Sequence, residues 1–358
     1  MRILVAGGGT AGHINPNLAI LSELTKRSKD LEVLYVGSAK GMESKLIPEA
    51  GWKFKSISCG KLRRYFSWEN FMDVWRVKWG ILQSLSIIWK FKPEVIFCKG
   101  GYVSLPVAVA GGILRKKVII HESDAEMGLA NRIAAYFAET ICLAFANKRL
   151  NSKKIVITGN PVRPELAKGL AKKGWEFSGL RPGKKLILVM GGSQGSDFIN
   201  KLIWNNLGNL LTEFQIIHAY GKGKGEHLKE IKMTVKDGYF ACEYIGEELG
   251  DVYKISDVIV TRSGANSLAE IEFLGKPAVL IPLVFGSRGD QITNAEIFAQ
   301  DYPAIILDER KITNTKHNLK ADLDKLLKMD KQKASKTWKN PAEMIAELII
   351  EKAQNEKI

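Results

Sequence analysis

The sequence predicts an α/β protein with two parallel-sheet domains facing a cleft, and three observations carry that prediction. The first is a pair of glycine-rich turns. Gly7-Gly8-Gly9-Thr10-Ala11-Gly12-His13 directly follows the apolar run Ile3–Ala6, and Gly191-Gly192-Ser193-Gln194-Gly195 directly follows Leu186–Met190. A buried strand, then glycines, then a helical pattern is how a backbone turns unpaired N–H groups toward a phosphate. The second is an alternation of short apolar runs with helical patterns that restarts halfway along the chain. The third is length: 358 residues allow two domains, each with its own core.

In the first series the apolar runs are Ile3–Ala6, Glu32–Val36, Phe54–Ile57, Val95–Cys98, Val118–His121, Thr140–Leu143 and Ile155–Thr158. Each is short, with an amphipathic stretch before the next, as parallel strands joined by helical crossovers require. Gly159-Asn160-Pro161-Val162-Arg163-Pro164 breaks the pattern with two prolines. The second series is Leu186–Met190, Phe214–His218, Phe240–Tyr244, Val258–Thr261, Ala278–Ile281 and Ala304–Leu307. A last helix from Pro341 to about Ala353 shows Ile345, Leu348 and Ile349 on one face and can return to cap the first domain. The expected domains are therefore 1–160 together with 338–358, and 161–337.

Composition sets limits. Hydrophobic residues make up 46% and charged residues 25%, ordinary for a globular protein. Cys59, Cys98, Cys142 and Cys242 stand apart with no CxxC spacing, which gives no sign of a zinc site or a disulfide framework. The first strand starts at Arg2 and no stretch reaches about 18 uncharged apolar residues, so a cytosolic chain is expected. The net charge of +15 is uneven: residues 1–160 hold 24 Lys and Arg against 12 Asp and Glu. A basic half suits a solvated face, nucleic acid or an anionic membrane surface, and composition alone does not choose.

Gly7, Gly9 and Gly12 satisfy GxGxxG, but the second strand ends Tyr35-Val36-Gly37-Ser38 without the acid that a dinucleotide ribose needs. No Lys-Ser/Thr pair follows the glycines, which excludes a Walker A loop. His13 sits at a helix start, where an imidazole is kept neutral and able to accept a proton; it could equally cap the helix or pack on the sheet. His121-Glu122-Ser123-Asp124 ends another strand on the same carboxyl edge, and Glu122 could orient His13 or act as a base itself. The spacing of these groups resembles no metal motif. Lys99-Gly100-Gly101-Tyr102-Val103-Ser104 is a third glycine turn on that edge. In the second half, Thr261 to Glu270 reads as strand, tight turn and helix start, and the Glu270 carboxylate can take both hydroxyls of a ribose. Phe285 to Ala295 is a polar loop opening a helix.

Taken together, GGGTAGH, GGYVS, HESD, GNPVR, GGSQG, RSGANSLAE and GDQITNA stand in the order and spacing of one bacterial family. The chain resembles the undecaprenyldiphospho-muramoylpentapeptide β-N-acetylglucosaminyltransferases over nearly its whole length. The resemblance implies a GT-B fold of two Rossmann-like domains and an inverting transfer without an obligatory metal or a cofactor. It implies UDP-N-acetylglucosamine as donor, a lipid-linked muramoyl-pentapeptide as acceptor, and the cytoplasmic face of the cell membrane as the place of work. No nucleic acid is implied, and other cell-wall synthesis proteins are possible partners.

By the same resemblance, Thr10, Ala11 and Gly12 lie beside the donor, with Ala11 replacing a usual glycine. The loops carrying Gly8, Gly9, Gly100, Gly101 and Tyr102 resemble the cradle of the acceptor's diphosphate. Ser193 and Gln194 resemble the donor-diphosphate turn, and Arg163 matches the arginine between the domains. Ile245 stands where main chain pairs with uracil, Ala265, Asn266, Ser267 and Glu270 where the nucleoside lies, and Gln291 where the sugar is recognised. Asp124 and Asp290 depart from the more usual asparagine and glutamine.

Residues 61–92 suit a lipid surface. Trp68, Phe71, Met72, Trp75, Trp79 and Leu82 share one helical face, with Ser67 as the expected N-cap and Pro93 closing the segment. Lys61, Arg63, Arg64, Arg76, Lys78, Lys90 and Lys92 flank it, which fits the interface of an anionic bilayer. Leu85 and Ile88 are expected in the core. Asp73, Arg76 and Lys78 exclude a spanning helix. Two other functions fit less well. A diacylglycerol glycosyltransferase would not pair GGYVS with HESD, and a basic scaffold has no use for His13, Ser193, Glu270 and Gln291 together.

Overall fold

The computed structural model describes residues 1–60, 68–146, 152–192, 194–226, 228, 237–284, 289–312, 317–329 and 340–354, with backbone only at Ala11 and 68–71. The expected N-cap Ser67, the cations Lys61, Arg63 and Arg64, the donor-turn residue Ser193 and the loop 285–288 lie outside the described residues. Two compact units divide the chain, Met1–Arg163 with Lys339–Ile358, and Pro164–Trp338.

The first unit runs β1 (Arg2–Ala6), α1 (Ala11–Arg27), β2 (Glu32–Ser38), α2 (Glu43–Glu49), β3 (Lys53–Ile57), α3 (Trp68–Phe91), β4 (Val95–Cys98), α4 (Ser104–Ile113), β5 (Lys117–Glu122), α5 (Leu129–Phe137), β6 (Thr140–Leu143) and β7 (Ile155–Ile157). Its seven strands are parallel in the order β3-β2-β1-β4-β5-β6-β7. Such strands are covered on both faces, so they read as unbroken apolar runs. In β1, Ile3 and Val5 enter one core layer while Leu4 and Ala6 enter the other.

Strand order reverses between β1 and β4, and register fixes what meets there. Ala6 pairs with Val36 on one side and Cys98 on the other, and Cys98 pairs with Ile120. Gly7 and Lys99 therefore leave the sheet side by side at its carboxyl edge, next to His121 near the end of β5, where open α/β sheets carry their sites.

The second unit opens with a 3-10 turn (Pro164–Lys168) and α6 (Ala171–Ser178), then β8 (Lys185–Met190), α7 (Asp197–Leu210), β9 (Phe214–Ala219), β10 (Tyr239–Cys242), α8 (Leu249–Ile255), β11 (Val258–Thr261), α9 (Ala265–Leu274), β12 (Ala278–Leu280), α10 (Asp290–Asp301), β13 (Ala304–Ile306) and α11 (Leu319–Leu327). The parallel order β10-β9-β8-β11-β12-β13 again reverses beside the strand that carries a glycine turn, β8. Helix α12 (Pro341–Gln354) belongs to the first unit, where Ile345, Ala346 and Ile349 are fully buried in the layer of Ile3 and Val5.

Candidate active site

In the first unit His13 lies in the first turn of α1, after Thr10, whose extended backbone caps the helix. The imidazole sits beside the Gly101 turn: a Cβ placed on Gly101 would come 3.3 Å from its Cδ2 and Nε2. With φ of +78° as well, Gly101 is a position for glycine alone. Nδ1 is enclosed and makes no hydrogen bond among the described residues. Burial, and then the Lys99 ammonium, push the His13 pKa down to about 4, so the ring is neutral at pH 7.

Glu122 does not orient His13, which corrects the expectation from sequence. Its Oε1 accepts from the amides of Ser123 at 2.9 Å and Asp124 at 3.2 Å, and its Oε2 from Gly128 N at 3.0 Å and Asn131 Nδ2 at 2.9 Å. A carboxylate followed by a tight loop meets the loop's own N–H groups first. Glu122 therefore fastens the loop from Ser123 to α5. Burial, opposed by the Gly128 amide, raises its pKa. His121 is fully buried, with Nε2 on the Gly159 carbonyl at 2.9 Å.

The glycine turn after β1 also differs from expectation. The Gly9 amide donates to Glu43 Oε2 at 2.9 Å, while Ser38 donates to Glu43 Oε1 through N at 2.9 Å and Oγ at 2.6 Å. The Gly9 amide is thus committed within the chain, and the Glu43 carboxylate lies against Gly8 and Gly9. Burial disfavours that charge, but these hydrogen bonds outweigh it and hold Glu43 below the usual carboxylate range. Tyr102 reaches the same turn, hydrogen-bonded to Ser38. Gly100 follows Lys99 just past the end of the neighbouring strand, β4, and Arg163, at the end of the unit, makes no hydrogen bond or ion pair among the described residues.

In the second unit the turn after β8 rests on main chain. Gly195, at φ +70°, would place a Cβ 2.2 Å from the Tyr220 carbonyl. Ser196 caps α7 by accepting from Ile199 N at 3.3 Å, and Arg262 Nη2 donates to the same Oγ at 2.8 Å. Arg262 is buried and also donates to the Ile281 and Pro282 carbonyls and to Glu309. Gln194 is exposed beside the turn. Ile245 is buried, and its main-chain N–H and C=O carry no hydrogen bond among the described residues.

Ala265, Asn266 and Ser267 form the first turn of α9 behind the extended Gly264, and Glu270 follows one turn on. Tyr253 donates its hydroxyl to Glu270 Oε2 at 2.8 Å. Asp290 opens α10 after Gly289. Gln291 accepts from Leu283 N through Oε1 at 2.9 Å, so the group it can present outward is its NH₂. Glu43, Tyr253 and Arg262 were given no role from sequence. Only Arg262 had a signal, a charge closing an apolar strand.

On α3 the apolar stripe is exposed at Trp75 (60%), Trp79 (59%) and Leu82 (56%), while Leu85 packs inward and Ile88 is buried. Lys78 Nζ lies 4.9 Å from the Trp75 ring and Arg76 pairs with Asp73 at 2.9 Å. Trp89 is also exposed. Among the described residues no helix is long and apolar enough to cross a membrane, and no cluster of His, Cys, Asp and Glu could hold a metal ion.

Residues 3–143 match the glycosyltransferase family 28 N-terminal domain and residues 186–352 its C-terminal domain, so the two units define a glycosyltransferase. A UDP-N-acetylglucosamine--N-acetylmuramyl-(pentapeptide) pyrophosphoryl-undecaprenol N-acetylglucosamine transferase of Clostridium botulinum is 40% identical, over 96% of this chain and 98% of its own. A Bacillus cereus protein of that name, numbered 2, is 44% identical over 87% of this chain and 88% of its own. The chain belongs to this family of N-acetylglucosamine transferases. Its fold is also that of the Acinetobacter baumannii MurG crystal structure, with a TM-score of 0.78 and 23% identity over 98% of this chain and 99% of that one.

Proposed function

We propose that the chain moves N-acetylglucosamine from UDP to the C4 hydroxyl of the muramoyl sugar in an undecaprenyl-diphosphate-linked muramoyl-pentapeptide, with inversion. The observation that carries this reading is the neutral His13 imidazole at the strand-order reversal of the first sheet. The imidazole takes the proton from the acceptor hydroxyl as the anomeric carbon is attacked from the face opposite UDP. The first unit is then the acceptor unit, with the amides of Gly100 and Gly101 toward the diphosphate. Gly8 joins that cradle by family resemblance, while Gly9 shapes the turn, since Glu43 already occupies its amide.

The second unit takes the donor. Amides of the turn holding Ser193 and Gln194 meet the negative charge that builds on the leaving diphosphate. The unpaired main chain of Ile245 suits the edge of uracil, and Glu270, steadied by Tyr253, suits the ribose hydroxyls. Gln291 offers its NH₂ to a sugar hydroxyl. Thr10, Ala11, Gly12, Asp124, Arg163 and Asp290 complete the donor surroundings by family resemblance. The exposed tryptophans of α3, with Arg76 and Lys78, suit a peripheral position on the anionic cytoplasmic face of the membrane.

The test is transfer from radiolabelled UDP-sugars to lipid-linked muramoyl-pentapeptide and, separately, to diacylglycerol. Product is expected only from UDP-N-acetylglucosamine with the muramoyl acceptor. Transfer to diacylglycerol would overturn the reading.

A further inference from the structure

Phe214, Ile216 and His218 share one face of β9, and the first two lie in the apolar layer against α7. A third apolar residue would continue that layer, yet position 218 holds a fully buried imidazole. Burying a polar ring is unfavourable unless its nitrogens are bonded, and here both are. Nε2 lies 2.9 Å from Asn200 Oδ1, and Nδ1 lies 2.9 Å from the Tyr239 hydroxyl. The far ends fix the direction of these bonds. Asn200 Nδ2 donates to the Tyr220 carbonyl at 2.9 Å, so Oδ1 faces the ring as an acceptor and Nε2 carries the hydrogen. Burial keeps the ring neutral, which leaves Nδ1 bare to take the Tyr239 O–H, while the Tyr239 oxygen accepts from Trp204 Nε1 at 3.0 Å. One chain of donors thus runs from Trp204 on α7 through Tyr239 on β10 and His218 on β9 back to Asn200 on α7. It ends on the Tyr220 carbonyl.

That carbonyl bears on the glycine turn after β8. A Cβ on Gly195 would come 2.2 Å from the Tyr220 oxygen, and one on Gly221 would come 2.6 Å from the Gly195 Cα, so the two backbones touch. The Tyr220 and Gly221 amides are held by the Cys242 and Glu243 carbonyls at 3.0 Å each, which leaves the Tyr220 oxygen to Asn200. Asn200 stands one turn into α7, whose N-cap Ser196 directly follows Gly195. We propose that His218 is a positioning residue for the transfer. By aiming the Asn200 amide it holds the Tyr220 carbonyl, and with it Gly195, where the turn's amides meet the donor diphosphate. This role presupposes that the second unit takes the donor through that turn. Fully buried, His218 acts on the diphosphate only through Asn200 and main chain. A chain in which every donor has its acceptor permits one arrangement, whereas an apolar ring in the same place would free the Asn200 amide to turn.

The experiment compares UDP with uridine, which differs from it only in lacking the phosphates. Calorimetry on the full chain takes wild type, His218→Phe, His218→Gln, Asn200→Ala and the double variant His218→Phe with Asn200→Ala, each checked for folding. His218→Phe is expected to weaken UDP binding roughly 3- to 10-fold, while uridine affinity and the acceptor KM stay at their wild-type values. His218→Gln, which can bond both neighbours, should recover most of the loss. The double variant should bind UDP no more weakly than Asn200→Ala alone, because both changes break one chain. A folded His218→Phe protein that keeps its UDP affinity, or loses uridine equally, overturns the inference, and so do additive losses in the double variant. If wild type binds UDP no better than uridine, the assignment of the turn to the diphosphate falls, and this role falls with it. Where His218→Phe fails to fold, Asn200→Ala carries the comparison of UDP with uridine, and wild type supplies a second reading. Its NMR spectrum, labelled at histidine, should show a neutral His218 with the hydrogen on Nε2. A hydrogen on Nδ1 would reverse the chain and overturn the proposal.

Discussion

Tyr253, fully buried on α8, donates its hydroxyl to Glu270 Oε2 on α9 at 2.8 Å, so the carboxylate assigned to the ribose is aimed from a neighbouring helix. Glu270→Ala should weaken UDP binding by roughly 10- to 150-fold, the range for about 1.5–3 kcal/mol of charge-assisted hydrogen bonds. Tyr253→Phe keeps the ring and removes only the aiming bond, so a loss of about 2- to 10-fold is expected. Calorimetry on both folded variants checks this. UDP affinity untouched by Glu270→Ala would take Glu270 out of the site.

His13→Ala should lower kcat by roughly 10²–10⁴, as loss of a general base does, and leave UDP affinity nearly intact. Glu122→Gln should behave differently, because it replaces an acceptor of four bonds with a group that also donates. Its melting temperature should fall, and whatever activity remains should keep the wild-type acid limb. A kcat for His13→Ala within a few-fold of wild type would pass the proton to another group.

The α3 stripe joins two forces that salt can separate. Binding to anionic vesicles should weaken as ionic strength rises, each near-surface cation contributing about 1 kcal/mol at low salt. Trp75→Ser with Trp79→Ser should weaken binding even at high salt, because apolar contact is not screened. Activity on a short-chain soluble acceptor should survive that change. Flotation indifferent to both salt and the two tryptophans would mean that another surface meets the membrane.

Acid should destabilise the fold through its buried imidazoles. Burial holds His218 down to about 3 and His13 to about 4, whereas the unfolded chain takes up these protons near the ordinary 6.5. The unfolded state binds more protons in that window, so the stability is fully present above about pH 6.5. It is lost progressively as pH falls toward the folded values. Each fully buried imidazole should remove about 1–2 kcal/mol between pH 6.5 and 5. Urea unfolding at pH 7.5, 6 and 5 measures the slope. His218→Gln, which can still bond Asn200 and Tyr239, should flatten it, and an unchanged slope would clear His218 of the effect.

The fold was legible because parallel strands buried on both faces leave unmistakable apolar runs, and each run named from sequence coincides with one of β1 to β13, give or take a residue or two at the ends. The stripe on α3 and the inward turn at Leu85 and Ile88 were legible from helical spacing. The wiring of the turns was not. Glu43 answers an amide 34 residues earlier and belongs to no motif, so only the packed structure joins them. Glu122 was visible as a group at the right edge, but which N–H groups reach it depends on how the following loop closes. Lys99 stood inside a recognised string, yet nothing local says that its ammonium ends beside Asn160.

Helix α12 has a consequence for how the protein is made. Its buried Ile345, Ala346 and Ile349 complete the layer begun by Ile3 and Val5, so the core that is started first is finished last. The whole of Pro164–Trp338 is synthesised in between. At about 5–20 residues per second, that leaves the nascent first unit with an uncovered apolar face for on the order of ten seconds or more. Through that interval the growing chain offers chaperones, or its own copies, a sticky surface that the mature enzyme never shows.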